Sequence, residues 1–325
     1  MRTKIVYVVT SDETDVYLEQ ALLSVFSLRK HNPNAYVELV VDQDTNTTIT
    51  GKRGEILKYI DNKVVVNVPK EYNKQEISRF LKTNVRAYVT GDYLFVDSDT
   101  IITDKLDEID LFDGDIGAVV NNHVPISQYY NRYADKIRRI AKQEGWTCTD
   151  DVPYFNSGVL YVKDTEKARH FCSDWHQTWK KTMKDYGRLQ DQQPLALVNE
   201  KYGYLINELP GEWNCQILRM ALPYLHKAKI IHYFSSNGDN KLVYAFGNKI
   251  IFHKIREHGF ITEDIIKYVD NAKSAFVNPT RLCSPKELSL LSGEMAQACL
   301  RHHKLTKILN YFFRLMIKLR LISNV

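Results

Sequence analysis

The sequence predicts an α/β protein with a mostly parallel sheet, helices on both faces of it, and a helical C-terminal tail. Three observations carry this. Short β-branched runs alternate with helical patterns through the first hundred residues, the order that parallel strands and their crossovers require. Several of these runs stop at polar or acidic residues, and in such sheets the carboxyl ends of the strands carry the ligand site. The last stretch of chain is different, being rich in Lys, Arg and large apolar residues without any acid.

The elements follow in order. Residues 4–9 (KIVYVV) form a first strand that ends at Thr10, Ser11 and Asp12. From Val16 to Lys30, Leu18, Leu22, Val25, Phe26 and Arg29 fall near a 3.6-residue period and predict a helix. Asn32-Pro33-Asn34 breaks it. Tyr36–Val41 is a second strand, closed by Asp42 and a Thr/Asn-rich loop. A helix over Arg53–Ile60 leads to a third strand at Lys63–Val68. A helix over Ile77–Thr90 and a turn at Gly91-Asp92 lead to a fourth strand, Tyr93–Val96. Further on, Ile116–Val120, Val159–Val162 and Ala228–Tyr233 read as strands, and Glu166–Lys184 and Gln190–Asn199 as helices. The weakly patterned segment Phe260–Ser284 marks the passage to the tail, giving a catalytic domain over 1–265 and a helical extension over 266–325.

Composition narrows the function. Hydrophobic residues make up 44% and charged residues 26% of 325 positions, which suits a folded protein with a large core. Cys148, Cys172, Cys215, Cys283 and Cys299 are odd in number and form no Cys-x-x-Cys. That spacing provides neither a disulfide framework nor a zinc knuckle, and it points to a reducing, cytoplasmic setting. The opening apolar run of five residues is too short for a signal peptide core or a membrane span. The net charge of +5 belongs to the tail: Arg301, Lys304, Lys307, Arg314, Lys318 and Arg320 follow the last acid, Glu294, and without them 38 basic residues face 39 acidic ones.

The sharpest chemical signal is YLFVDSDTII at 93–102. An apolar strand delivers Asp97 and Asp99 at its carboxyl end. Side chains two apart on an extended chain leave on the same side, so both carboxylates can face one cation. A divalent metal bridging carboxylates to a nucleotide diphosphate neutralises a phosphate leaving group. The plain alternative is a turn or helix cap, which Asp-x-Asp commonly forms.

Four motifs in fixed order then resemble glycosyltransferase family 8, which includes glycogenin and the bacterial lipopolysaccharide galactosyl- and glucosyltransferases. They are KIVYVVTSDE with the helix YLEQALLSVFSL, RFLKTNVRAYVTGDYLFVDSDTII, YFNSGVLYV at 154–162, and the pair QDQQPL at 190–195 and IIHYF at 230–234. The resemblance covers roughly residues 4–235 and implies a GT-A fold. It implies a metal-dependent hexosyltransferase that retains anomeric configuration, using a UDP-sugar donor and a glycan or glycolipid acceptor.

Carried over residue by residue, the resemblance makes Asp97, Asp99 and His232 ligands of Mn²⁺ or Mg²⁺. For His232 the alternative is a packed strand histidine. Thr10 and Asp12 would meet the nucleobase and ribose, although the family often has an acid where Thr10 stands. Arg79 and Lys82, three apart on one helical face, would meet phosphate or ribose oxygens unless that face is merely solvated. Ser98, between the two aspartates, counts with the donor contacts. Asn156, Ser157 and Gly158 would line the sugar side, Asp191 would accept from sugar hydroxyls, and Gln192 would stand near the anomeric carbon. Where family members commonly carry a Gly-x-x-Lys-Pro-Trp segment, this chain has neither Pro nor Trp, and Lys241 is the residue left to reach the diphosphate.

Residues 299–322 predict a basic amphipathic helix whose apolar face centres on Phe312 and Phe313. It suits an anionic membrane surface, on its inner face, or else packing on protein. Rival functions are a non-catalytic nucleotide-sugar-binding module and a nucleotidyltransferase. The latter wants a Gly-rich phosphate loop after the first strand, which Thr10-Ser11-Asp12-Glu13 is not. Nucleic-acid binding is not expected, since the basic tail contains no recognised module.

Overall fold

The computed structural model describes residues 1–129, 131–217, 221–234, 246, 249–275, 286, 289–290 and 293–319. The chain divides into two compact units, Met1–Val277 and Asn278–Val325.

In the first unit, strand β1 (Lys4–Val9) leads to helix α1 (Tyr17–His31) and strand β2 (Val37–Asp42). Asp42 caps the short helix α2 (Gln43–Thr48), accepting from the Thr45 amide at 2.9 Å, so the expected Thr/Asn loop is helical. The expected helix over 53–60 is a tighter 3-10 helix, Gly51–Lys58, followed by β3 (Asn62–Val66). Helix α3 (Lys74–Thr83) starts with a reciprocal cap between Asn73 and Glu76. It ends at Asn84, so the single helix expected over 77–90 is two, the second being α4 (Val85–Tyr88). Strand β4 (Tyr93–Val96) falls where the sequence reading put it, and a three-residue strand, β5 (Thr100–Ile102), follows directly after Asp99.

Then come β6 (Ile116–Val120), α5 (Asn131–Glu144) and β7 (Phe155–Val162), which starts four residues earlier than expected. Helix α6 (Glu166–Tyr186) is capped by Thr165 and stopped by Gly187 at φ 64°. Helix α7 (Gln192–Lys201), strands β8 (Ile206–Glu208) and β9 (Cys215–Gln216), helix α8 (Leu222–Leu225) and strand β10 (Ile230–His232) complete the site-bearing part. Helices α9 (Lys249–His258), α10 (Glu263–Asp270) and α11 (Ala272–Ala275) follow. Ile265, Val269 and Ala272 are buried with the main core, which carries the compact unit past residue 265.

The central sheet has seven strands in the order β3-β2-β1-β4-β7-β6-β8. Strand β1 pairs parallel with β2 and β4, β2 with β3, and β6 with β8, while β7 runs antiparallel to both its neighbours. Strand alternation sends Ile5, Tyr7 and Val9 to one core with α1, and Val6 to another with α3 and α6. Both faces of the sheet are therefore covered, as a mostly parallel sheet demands. A small second sheet, β5-β10-β9, sits beside the Asp-x-Asp turn.

The second unit contains helices α12 (Glu294–Arg301) and α13 (His303–Lys318). Ile308, Tyr311, Phe312, Phe313, Leu315 and Leu319 are exposed there. Among the described residues no helix is long and apolar enough to cross a membrane.

Candidate active site

Two pairings assemble the site. Antiparallel β7 brings its first residues beside the end of β4: Val96 faces Val159, and the Asp97 amide donates to the Gly158 carbonyl at 2.8 Å. Strand β5 leaves Asp99 at once and pairs antiparallel with β10, so His232 lies opposite Thr100, and the Tyr233 amide donates to the Asp99 carbonyl at 3.1 Å. Residues 97, 99, 158 and 232 meet because hydrogen-bond register places them together.

Ligand atoms of Asp97, Asp99 and His232 all lie within 4.8 Å of one another. His232 Nε2 stands 3.3 Å from Asp99 Oδ1. Its other nitrogen, Nδ1, donates to Asn214 Oδ1 at 3.1 Å, because a carboxamide oxygen only accepts. This fixes the ring so that Nε2 faces the carboxylates, the arrangement that metal-binding histidines use. Two lone-pair atoms 3.3 Å apart repel unless a proton or a cation lies between them. Asp99 is held below the usual carboxylate range: burial pushes it up, but its contact with His232 more than offsets this. Burial pushes Asp97 above that range, against the pull of Lys82 and helped by Asp99.

The space is kept by Gly158. A Cβ there would fall 2.4 Å from His232 Cε1, 2.8 Å from Asp97 Oδ2 and 2.9 Å from Asn156 Oδ1. Two carboxylates with one imidazole, beside a position where only hydrogen fits, are a donor set that suits a divalent cation.

Next to the triad is a second charge cluster. Lys82 Nζ donates to both Asp97 oxygens at 3.0 Å and stands 3.2 Å from Asp191 Oδ2. Arg79 Nε lies 3.5 Å from Asp191 Oδ1, and the Ser157 hydroxyl donates to Asp191 Oδ2 at 2.7 Å. Burial would raise the Asp191 pKa, but Lys82 and Arg79 hold it well below the ordinary value. A relay of carboxamides joins these groups. Asn214 Nδ2 donates to Asn156 Oδ1 at 2.9 Å, Asn156 Nδ2 to Asn121 Oδ1 at 3.0 Å, and Gln192 Nε2 to the same Asn121 oxygen at 3.2 Å. Gln192 Nε2 also donates to the Phe155 carbonyl at 3.0 Å.

The triad and the charge cluster open on a cavity of about 800 Å³, within the range of ligand pockets. A sequence profile described as glycosyl transferase family 8 matches residues 8–241, nearly three-quarters of the chain, and spans the whole cluster. The chain belongs to glycosyltransferase family 8. No curated protein matches its sequence. Among solved structures it is similar to the galactosyltransferase LgtC in complex with donor and acceptor sugar analogues, at 15% identity and TM-score 0.51 over 82% of this chain and 99% of that one. It is similar to an active-site mutant of LgtC at 17% identity and TM-score 0.52 over 81% and 98%. Mouse xyloside xylosyltransferase 1 aligns at 15% identity and TM-score 0.48 over 71% and 97%. The two LgtC likenesses speak for the fold, a GT-A-like α/β sheet.

The cavity of this glycosyltransferase is walled by Thr10, Arg79, Lys82, Ser98, Asn156, Ser157, Gly158, Asp191 and Gln192, together with Asp97, Asp99 and His232. Asp12 is outside that wall. Its carboxylate accepts from the Thr14 amide at 2.7 Å and pairs with Lys74 at 2.7 Å, and it is held well below the usual range chiefly by Lys74. Lys241 lies outside the described residues. The sequence reading had passed over Asp15, Tyr17, Lys74 and Ser78, which also line the cavity, and the supporting carboxamides Asn121 and Asn214. The lysine and serine were within reach, since Lys74, Ser78 and Lys82 share one helical face with four-residue spacing.

Proposed function

We propose that this glycosyltransferase moves a hexose, glucose or galactose, from a UDP-sugar to a glycan or lipopolysaccharide-type acceptor with retention of configuration, aided by Mn²⁺ or Mg²⁺. The observation that carries this is the Asp97–Asp99–His232 cluster, held within 4.8 Å at the edge of a large, charged cavity. LgtC, similar in fold, was crystallised with donor and acceptor sugar analogues, and the same pair of ligand classes suits this cavity.

Asp97, Asp99 and His232 would hold the cation, which when bound supplies positive charge to a departing diphosphate. The protein's own groups would do the rest. Lys82 and Arg79 place two positive charges on the same wall, available to phosphate or sugar oxygens. Asp191 stays ionised and accepts hydrogen bonds from sugar hydroxyls. Gln192, tied by its amide nitrogen to Asn121 and the Phe155 carbonyl, is a poor nucleophile, so front-side attack fits the residues better than a covalent intermediate. Catalysis then rests on positioning and electrostatics. The deciding experiment is a screen of nucleotide sugars for Mn²⁺-stimulated hydrolysis. UDP-glucose or UDP-galactose is turned over, and activity vanishes with EDTA; turnover indifferent to EDTA would remove the metal from the scheme.

The tail supports a second element of the proposal, attachment to an anionic membrane surface through residues 299–322. Helix α13 combines Lys304, Lys307, Arg314 and Lys318 with exposed Phe312 and Phe313. Each basic side chain near such a surface contributes about 1 kcal/mol. The full chain therefore sediments with anionic liposomes, less so as salt rises, and truncation after residue 298 abolishes this while leaving donor hydrolysis intact. A full chain that stays in the supernatant would make α13 a packing element instead.

A further inference from the structure

Behind the cavity wall is an ion cluster with no part in the scheme above. Glu19 of α1 is only 3% exposed. Its carboxylate accepts from Arg53 Nη1 at 3.1 Å and from Arg256 Nε and Nη2 at 2.9 and 2.7 Å. Two guanidinium groups on one carboxylate have donors to spare, and those donors go to the loop between β1 and α1. Arg256 Nη1 donates to the Glu13 carbonyl at 2.5 Å, and its Nη2 to the Asp15 carbonyl. Arg53 Nη2 donates to the Ser11 hydroxyl at 2.9 Å.

The loop passes these contacts on to the cavity. The Ser11 hydroxyl donates to Asp15 Oδ1 at 2.6 Å, and Asp15 Oδ2 receives the Asp12 amide at 3.1 Å and Lys74. Asp15 and Lys74 both line the cavity, as does Thr10 at the start of the loop. A continuous set of hydrogen bonds thus runs from α9, through Arg256, to the wall of the site.

Arg256 is also placed unusually in the chain. The family profile ends at residue 241, and α9 begins at Lys249. The helix is anchored independently by Phe252 and Ile255, both buried in the main core. A segment outside the family-matched region therefore fastens a loop inside it.

We infer that Arg256 is a positioning residue for donor binding: with Glu19 it fixes the 11–15 loop, and so fixes Asp15 and Lys74 in the cavity wall. The inference rests on the donor reading of that cavity given above. Arg256 touches no site residue's reacting atoms, so its effect falls on how well the donor is held and not on the step that follows. Guanidinium geometry is essential here, because one planar fork serves a carboxylate and two carbonyls at once.

The test uses the full chain with UDP and Mn²⁺ as the probe. Arg256→Met raises the Kd for UDP and the KM for the donor by about 10-fold, with kcat within about twofold, as expected when a supporting contact is lost. Arg256→Lys, which keeps a charge on Glu19 but cannot span both carbonyls, moves Kd in the same direction. Glu19→Gln combined with Arg256→Met costs less than the sum of the two single changes, since the two residues act through one network. In the ligand-free protein, amide hydrogen exchange at residues 11–15 is faster in Arg256→Met. A variant whose melting temperature falls while Kd and loop exchange stay at parental values overturns the inference. A parent that binds no UDP, with loop exchange still accelerated by the substitution, overturns the donor reading itself.

Discussion

Asp99→Asn lowers sugar transfer at least about 1,000-fold while the fold survives. The substitution keeps the shape of the side chain but takes away one of the two negative charges that would hold the cation. Charge stabilisation by a bound metal contributes several kcal/mol to such reactions, and each 1.36 kcal/mol is tenfold in rate. His232→Ala acts on the same centre and weakens Mn²⁺ binding at least about 10-fold. Turnover of the donor and Mn²⁺ affinity by electron paramagnetic resonance are the measurements, with melting temperature as the control. Asp99→Asn at parental turnover would mean that the cluster is a structural ion pair.

Gly158→Ala damages the site from the other side, by volume. Its new methyl would meet His232 at 2.4 Å, Asp97 at 2.8 Å and Asn156 at 2.9 Å. None of the three is free to yield: His232 is bonded to Asn214, Asp97 to Lys82, and Asn156 to the Gly158 amide itself at 2.8 Å. Overpacking of this kind costs about 1–3 kcal/mol of stability. Displacement of two ligands of the proposed metal centre should reduce transfer at least about 100-fold. Gly54→Ala is the control, because the nearest atom to its Cβ is 3.8 Å away, and activity there stays parental. If Gly158→Ala binds Mn²⁺ and turns over donor as the parent does, the space beside the triad is not needed for the reaction.

These two positions also show what the chain discloses before it folds. The Asp-x-Asp end of β4 was legible because four apolar residues in a row stop abruptly at carboxylates, and β4 is found at those residues, Tyr93–Val96. Strands β1 to β4 of the sheet were legible for the same reason, since each is an apolar run ending at polar residues, while the three-residue β8 was not. Strand β10 falls within the strand read at Ala228–Tyr233, but the three-residue β5 is too short to leave such a trace, and the pairing of the two is what brings His232 to Asp99. Only the resemblance of IIHYF to a family motif pointed to that histidine. The carboxamides Asn121 and Asn214 left no trace at all, because a lone asparagine has no period and looks like a loop residue. Arg256 was hidden differently, in an amphipathic helix where an arginine is ordinarily a solvated charge. The expected helix over 77–90 missed its break because Asn84 interrupts the backbone without disturbing the apolar pattern around it.

The relay through Asn214, Asn156, Asn121 and Gln192 has one more consequence. Each link is a neutral amide, and the outer end of the relay, Tyr129, is a phenol whose hydroxyl donates to the Asn121 carbonyl at 2.6 Å. Amides neither gain nor lose protons in water near neutrality. The scaffold that holds His232 at one end and Gln192 at the other is therefore insulated from acidity, which acts on the neighbouring carboxylates instead. Acidification can change the charge on the carboxylates without changing where Asn156 and Gln192 stand.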